Sequence, residues 1–189
     1  MWPIGPLMWE HRLIERLVRL LASEAGRWRA GQAGDPALIY KAVEFFRNYA
    51  DRCHHGKEEE ILFETLSRRD LAPEHSRVMA ELLNEHRQGR ALVGRLDQAN
   101  RAWEAGDAAA LPTVLACLEE LTVFYPAHII KEDQHFFYPV MEYFNRAEKD
   151  AMLEKFWEFD RQLVHEFYGF LVKGLEESAK RPAAPPPSV

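Results

Sequence analysis

The chain has 189 residues, 47% of them hydrophobic, and a formal net charge of −6. That length and apolar share suit one compact domain with a buried core. An acidic balance without a basic run interleaved with aromatics excludes an ordinary nucleic-acid binder.

No uninterrupted apolar run approaches the roughly 18 residues of a membrane span. The N-terminal "MWPIGPLMWEHRL" lacks the charged and apolar regions of a signal peptide. Cys53 and Cys117 make neither a disulfide framework nor a cysteine-rich zinc motif, so a reducing cytoplasm is expected.

Apolar spacing is helical from the start. Leu7, Ile14, Val18 and Leu21 form one stripe of a first helix, which "GRWRAGQAG" (26–34) breaks. Asp35-Pro36 reads as an N-cap followed by proline at the first helical position. A second helix is predicted over about 36–67, and a third from Pro73 to about 104. A fourth begins between 107 and 112 and runs to about 144. Pro126 and Pro139 lie inside it, predicting a kink that frees the Thr122 carbonyl and a frayed end. A fifth helix over about 147–174 carries Leu153, Phe156, Trp157, Leu163, Phe167 and Phe170. Strand alternation is absent. The expected domain is 1–176, and the proline-rich tail 177–189 is expected to be disordered.

The two halves repeat each other. "EHRLIERLV" (10–18) matches "EHRQGRALV" (85–93), and "HHGKEEEILF" (54–63) matches "HIIKEDQHFF" (128–137). His11 and His86 are 75 residues apart, while His54–His128 and Glu58–Glu132 are each 74 apart. A duplicated helix pair follows. The expected fold is all-α: an up-down four-helix bundle built from that pair, plus the fifth helix. Packing about a pseudo-twofold axis brings His11, His54, His86 and His128 together, with Glu58 and Glu132 facing each other.

His54 and Glu58 are four residues apart, so they share a helix face; His128 and Glu132 repeat the arrangement. All six residues interrupt apolar stripes. A carboxylate buried without a partner costs several kcal/mol, and a metal centre removes that cost. Imidazole with carboxylate and open positions suits iron better than structural zinc. Glutamates facing across a two-fold axis can bridge two metals.

The pattern EH … HxxxE … EH … HxxxE resembles the hemerythrin family in its bacterial HHE cation-binding form, over residues 7–144. The resemblance implies a four-helix bundle holding two non-haem iron ions, with zinc or another divalent metal as an alternative occupant in isolated protein. By position it implies His11, His54, Glu58, His86, His128 and Glu132 as ligands, with Glu58 and Glu132 bridging. It also implies O2, or a related ligand such as NO, as the molecule bound. The chain departs from the oxygen carriers in lacking a second histidine one turn from His86, where Leu82 and Arg90 stand. It also has His-x3-Glu where they have His-x4-Asp, and reversible O2 carriage is thereby in doubt.

His135 is the expected replacement. It lies seven residues after His128 and three after Glu132, an Glu-x-x-His spacing found in carboxylate-bridged di-iron sites. Ile61 occupies the matching position in the first half, so one metal would be richer in nitrogen. Other candidates are set aside. His55 points about 100° from His54 and should be solvated. His75 belongs to a first helical turn, and His165 should be at the surface. Cys53, Cys117 and Tyr125 read as core. Glu10 and Glu85 could orient imidazoles or lie in solvent.

The functional expectation is a binding protein for O2 or NO, serving storage, scavenging or sensing. The alternatives are a di-iron oxidoreductase acting on peroxide or NO, an iron donor in cluster repair, and a helical module with a structural metal. The fifth helix could cap the bundle or make a homodimer.

Overall fold

The computed structural model describes residues 2–161 and 164–179. Six helices make up the described chain. Helix α1 is Ile4–Arg29, closed by Ala30 and then Gly31, whose φ of 89° lies in the left-handed region that glycine enters without steric cost. Helix α2 spans 36–66. Its N-cap is Asp35, whose side chain accepts a hydrogen bond from the Ala37 amide at 2.9 Å, with Pro36 at the first position as the sequence predicts. The helix is not uniform: Phe46–His55 and Glu58–Phe63 are π-helical. Helix α3 is Pro73–Glu104.

Helix α4 spans 111–140. It is α-helical over Leu111–Ile130, continuing through Pro126, and π-helical over Lys131–Phe136. It ends in the short segment Phe137–Val140 around Pro139, followed by a 3-10 turn. The departure from α geometry therefore falls after the proline rather than at it.

Each of the first four helices packs on two others: α1 on α4 and α2, and α3 on α4 and α2. Helix α5 (Arg146–Phe159) starts at a capping box made by Asn145 and Glu148, and leans on the second π segment of α2. Helix α6 (Val164–Ala179) lies against α1 and α2. The expected single fifth helix is thus two. The break comes at Asp160, whose carboxylate is drawn inward by Lys57, Cys53 and His165. Of the expected stripe, Leu153 and Phe156 are buried, whereas Trp157, Phe167 and Phe170 are exposed. Leu163 and the tail from residue 180 lie outside the described residues.

The stretch Ala108–Tyr143 is long and apolar enough to cross a membrane by length and composition. Its α-helical part carries only Glu119 and Glu120 as full charges. In the bundle it buries Val114, Leu118, Leu121 and His128.

Two apolar cores fill the bundle. One gathers Leu17, Val18, Leu21, Val43, Phe46, Leu92, Leu96, Leu118 and Leu121. The other gathers Leu7, Leu62, Phe63, Leu82, Phe136 and Phe137. Along each of the first four helices the chain passes from one core to the other across a polar residue: His11 lies between Leu7 and Leu17, and His86 between Leu82 and Leu92. The site is a polar layer sealed at both ends by hydrocarbon.

Candidate metal centre

Five imidazoles and two carboxylates form that layer, and all seven are buried. Among the described residues they make two groups able to hold a metal ion. His11, His54, Glu58 and Glu132 form one, and His55, His86 and His128 the other. The two glutamates link the groups. Glu58 Oε1 lies 3.4 Å from His54 Nε2, and its Oε2 lies 3.3 Å from His86 Nε2. Glu132 Oε2 lies 3.2 Å from His11 Nε2 and 3.4 Å from His128 Nε2, and its Oε1 lies 3.6 Å from His86 Nε2.

These separations decide between a hydrogen-bonded polar core and a cation site. Direct hydrogen bonds would draw the atoms to about 2.7–2.9 Å. Two donor atoms each about 2.1 Å from one ion, at angles of roughly 90–110°, lie about 3.0–3.4 Å apart. The carboxylate–imidazole contacts fall in or beside the second range, and the one inward pair at hydrogen-bond distance is His11 Nε2 with His54 Nε2 at 2.9 Å. Both oxygens of Glu58, both of Glu132, and Nε2 of His86 and of His128 have no hydrogen-bond partner. Glu58 and Glu132 also offer oxygens within 4.8 Å of each other. Two bare carboxylates that close repel by about 3–4 kcal/mol even at an effective dielectric of about 20. Cations between them turn that repulsion into attraction, so the donor set fits bound metal.

The outer nitrogens are held in the opposite way. His11 Nδ1 bonds to Asp133 at 2.7 Å, His54 Nδ1 to Glu10 at 2.7 Å, His86 Nδ1 to Glu59 at 2.7 Å and His128 Nδ1 to Glu85 at 2.9 Å. A proton on Nδ1, donated to a carboxylate, leaves the Nε2 lone pair facing inward and makes it a better ligand. Each carboxylate is itself fixed by a cation: Asp133 by Arg12, Glu10 by Lys57, Glu59 by Arg90 and Glu85 by Lys131. Burial works against the charge on Glu10, Glu59 and Glu85, but their histidine and cationic partners hold all three below the usual carboxylate range.

Electrostatics separate His55 from its neighbours. Burial, and then the nearby His86, His54 and His128, push its pKa well below the ordinary imidazole value, which keeps its lone pair free. Burial also opposes charge on His11 and His86. There the carboxylates prevail: Asp133 and Glu132 raise His11 to about 10, and Glu132, Glu58 and Glu59 raise His86 to about 11. The carboxylates thus favour positive charge at His11 and His86, as an anionic surrounding does.

The six residues of the repeat converge as the spacing predicts. His135 does not join them: it is exposed and belongs to neither group. His55, expected in solvent, is buried instead, its ring stacked on His86 at 3.9 Å. Both corrections follow from the π segments. A π turn holds one residue more than an α turn, so successive side chains are separated by roughly 80° rather than 100°. In α2 the narrower step keeps His54 and His55 both within the inward sector. In α4 it falls after His128 and turns His135 roughly 100° away from its α-helical bearing.

His165 was expected at the surface and is half-buried, bonded to Tyr49 and Asp160. Glu10, Cys53, Asp160 and His165 form a third group of potential ligands. The Lys57 ammonium already bonds to both Glu10 and Asp160 there. Burial also raises the Cys53 thiol pKa, so the thiolate a metal needs is disfavoured. Lys57 occupies the cation's place in that group. His75 bonds to the Tyr143 hydroxyl at 2.8 Å at the start of α3, away from the centre.

No curated protein and no solved structure matches the chain. The profile of the hemerythrin HHE cation-binding domain matches residues 3–138. With most of its length inside that match and the buried His/Glu layer within it, this chain belongs to the hemerythrin HHE cation-binding family.

Proposed function

We propose that the chain holds two non-haem iron ions between the first four helices, in an up-down bundle derived from a duplicated helix pair, and uses them to bind O2 or a related small ligand such as NO. Storage, scavenging or sensing would follow from such binding. The observation carrying this reading is the inward face of the layer: both oxygens of Glu58 and of Glu132 and the Nε2 atoms of His86 and His128 converge there without a hydrogen-bond partner. Glu58 and Glu132, each within reach of both groups, would bridge the ions. His11 and His54 would serve one ion, and His55, His86 and His128 the other. Iron so held supplies ligand binding and one-electron chemistry; the protein supplies a dry, oriented donor set.

Metal analysis with an optical spectrum is the first test, and a stoichiometry far from two per chain sinks the dinuclear reading. Mixing reduced protein with O2, NO or H2O2 in a stopped-flow instrument then separates the activities. A reversible optical change supports ligand binding. Sustained turnover supports the oxidoreductase. No response supports a structural metal.

A further inference from the structure

A cavity of about 210 Å³ opens beside the three-histidine group, and His55 is part of its lining. Phe46, Val93 and Gly89 give it an apolar wall. Tyr125, stacked on Phe46 at 4.8 Å, adds a hydroxyl with no hydrogen-bond partner among the described residues. Arg90 stands at the rim, bonded at 2.7 Å both to Asp51 and to Glu59. Asp51 in turn is the outer anchor of His55, at 3.4 Å, against 2.7–2.9 Å for the other four imidazoles. Arg47, paired with Asp97 at 2.8 Å, and Asp51 complete the lining, which therefore joins an apolar wall, one hydroxyl and a set of ion-paired charges to the least tightly anchored imidazole of the layer.

Gly89 keeps this space open. A Cβ there would come within 3.2 Å of the Phe124 ring, which stacks on His128 at 5.7 Å. Any side chain at this position either presses on that stack or occupies the cavity. Gly94, on the same helix, has open space around it and carries no such constraint.

We propose that this cavity is the path by which a small, largely apolar molecule with one hydrogen-bonding end reaches the histidine layer, its approach running over Gly89 to His55. The inference rests on the metal-binding reading above and adds the route and the chemistry of what travels it. The apolar wall admits an uncharged molecule at little desolvation cost, the charges of the lining are already paired with acidic side chains, and the Tyr125 hydroxyl offers that molecule a donor.

Xenon tests the route without any reaction. The xenon-129 shift and relaxation are measured with cobalt(II)-loaded and zinc(II)-loaded protein. Xenon in the cavity senses paramagnetic cobalt and not zinc, so a difference between the two is expected for the wild type. Gly89→Leu and Val93→Phe fill the space from two sides, and each is expected to abolish the difference; Gly94→Leu leaves it intact. Using two walls keeps the test decisive if one variant fails to fold. Equal behaviour of the cobalt and zinc forms in the wild type, or an undiminished difference in the filled variants, overturns the proposal. Failure of the ligand-binding reading looks different: iron-loaded protein would give no optical response to O2 or NO while the cobalt effect on xenon persists.

Discussion

Lys57 and Lys131 stand 74 residues apart in matching positions of the two halves, and each fixes the glutamate behind a histidine. Their surroundings differ. The Lys57 side chain is 0% exposed and bonds to Glu10 and Asp160, the second partner coming from the end of α5. The Lys131 side chain is 29% exposed and is shared by Glu85 and Glu81, both from α3. The first half is therefore locked from outside by the added helices, while the second half closes on itself. The inward faces diverge as well. His55 in the first half corresponds to Ile129 in the second, which lies in the apolar core. Both halves have a π segment around their glutamate, but the first half has a second one, Phe46–His55, that contains His54 and His55, and this extra segment makes the two halves of a duplicated sequence unlike.

The carboxylates shared by the halves should give the largest effect when broken. Glu132→Ala removes the oxygens facing His11, His86 and His128 together. Loss of both metals is expected, read as metal per chain after dialysis against a weak chelator; retention of two would rule out bridging by this residue.

His55 sharpens the contrast between the halves. His55→Ala should release or greatly weaken one of the two metals, on the order of 10–100-fold or more in affinity, since changes at partners of ligands already cost that much. His135→Ala should leave stoichiometry and spectrum unchanged. The reverse pattern would restore the spacing-based assignment.

The two lysines then compare burial directly. Lys57→Met strands Glu10 and Asp160 in a buried site and should cost about 3–5 kcal/mol of stability. Lys131→Met, at a partly exposed pair, should cost about 0–1 kcal/mol. Denaturant titration of the two metal-loaded variants reads the difference, and equal losses would show that the lock has no energetic consequence.

Acid should act on the locked half by a smaller amount. Burial raises the Asp160 pKa, but His165, Lys57 and Cys53 outweigh it and bring it from 3.8 to about 2. A depressed carboxylate pKa stabilises the fold above its unfolded value, and the gain disappears as pH falls through the folded one. The stability advantage of wild type over Asp160→Asn should therefore be about 2 kcal/mol near neutrality and fade between about pH 4 and pH 2. A difference constant across that window would place the contribution outside the ionised carboxylate.

Much of this protein is legible in its sequence because the information is periodic. Helical stripes, the Asp35-Pro36 cap and the repeated His and Glu positions depend on local spacing, and the hydrocarbon on either side of His11 and His86 already marks them as buried. The carboxylates behind the imidazoles repeat as well: Glu10 with Glu85 at 75 residues, and Glu59 with Asp133 at 74. That second pair carries no distinctive signal, because Glu59 and Asp133 each look like one more acidic residue on a charged helix face. Tertiary structure alone decided that His55 faces inward and His135 outward, since a π turn shifts angular register without leaving a break in composition. It also decided that Asp160 leaves the fifth helix to hold Lys57, because a partner about 100 residues away in sequence, and buried with it, is invisible to any local pattern.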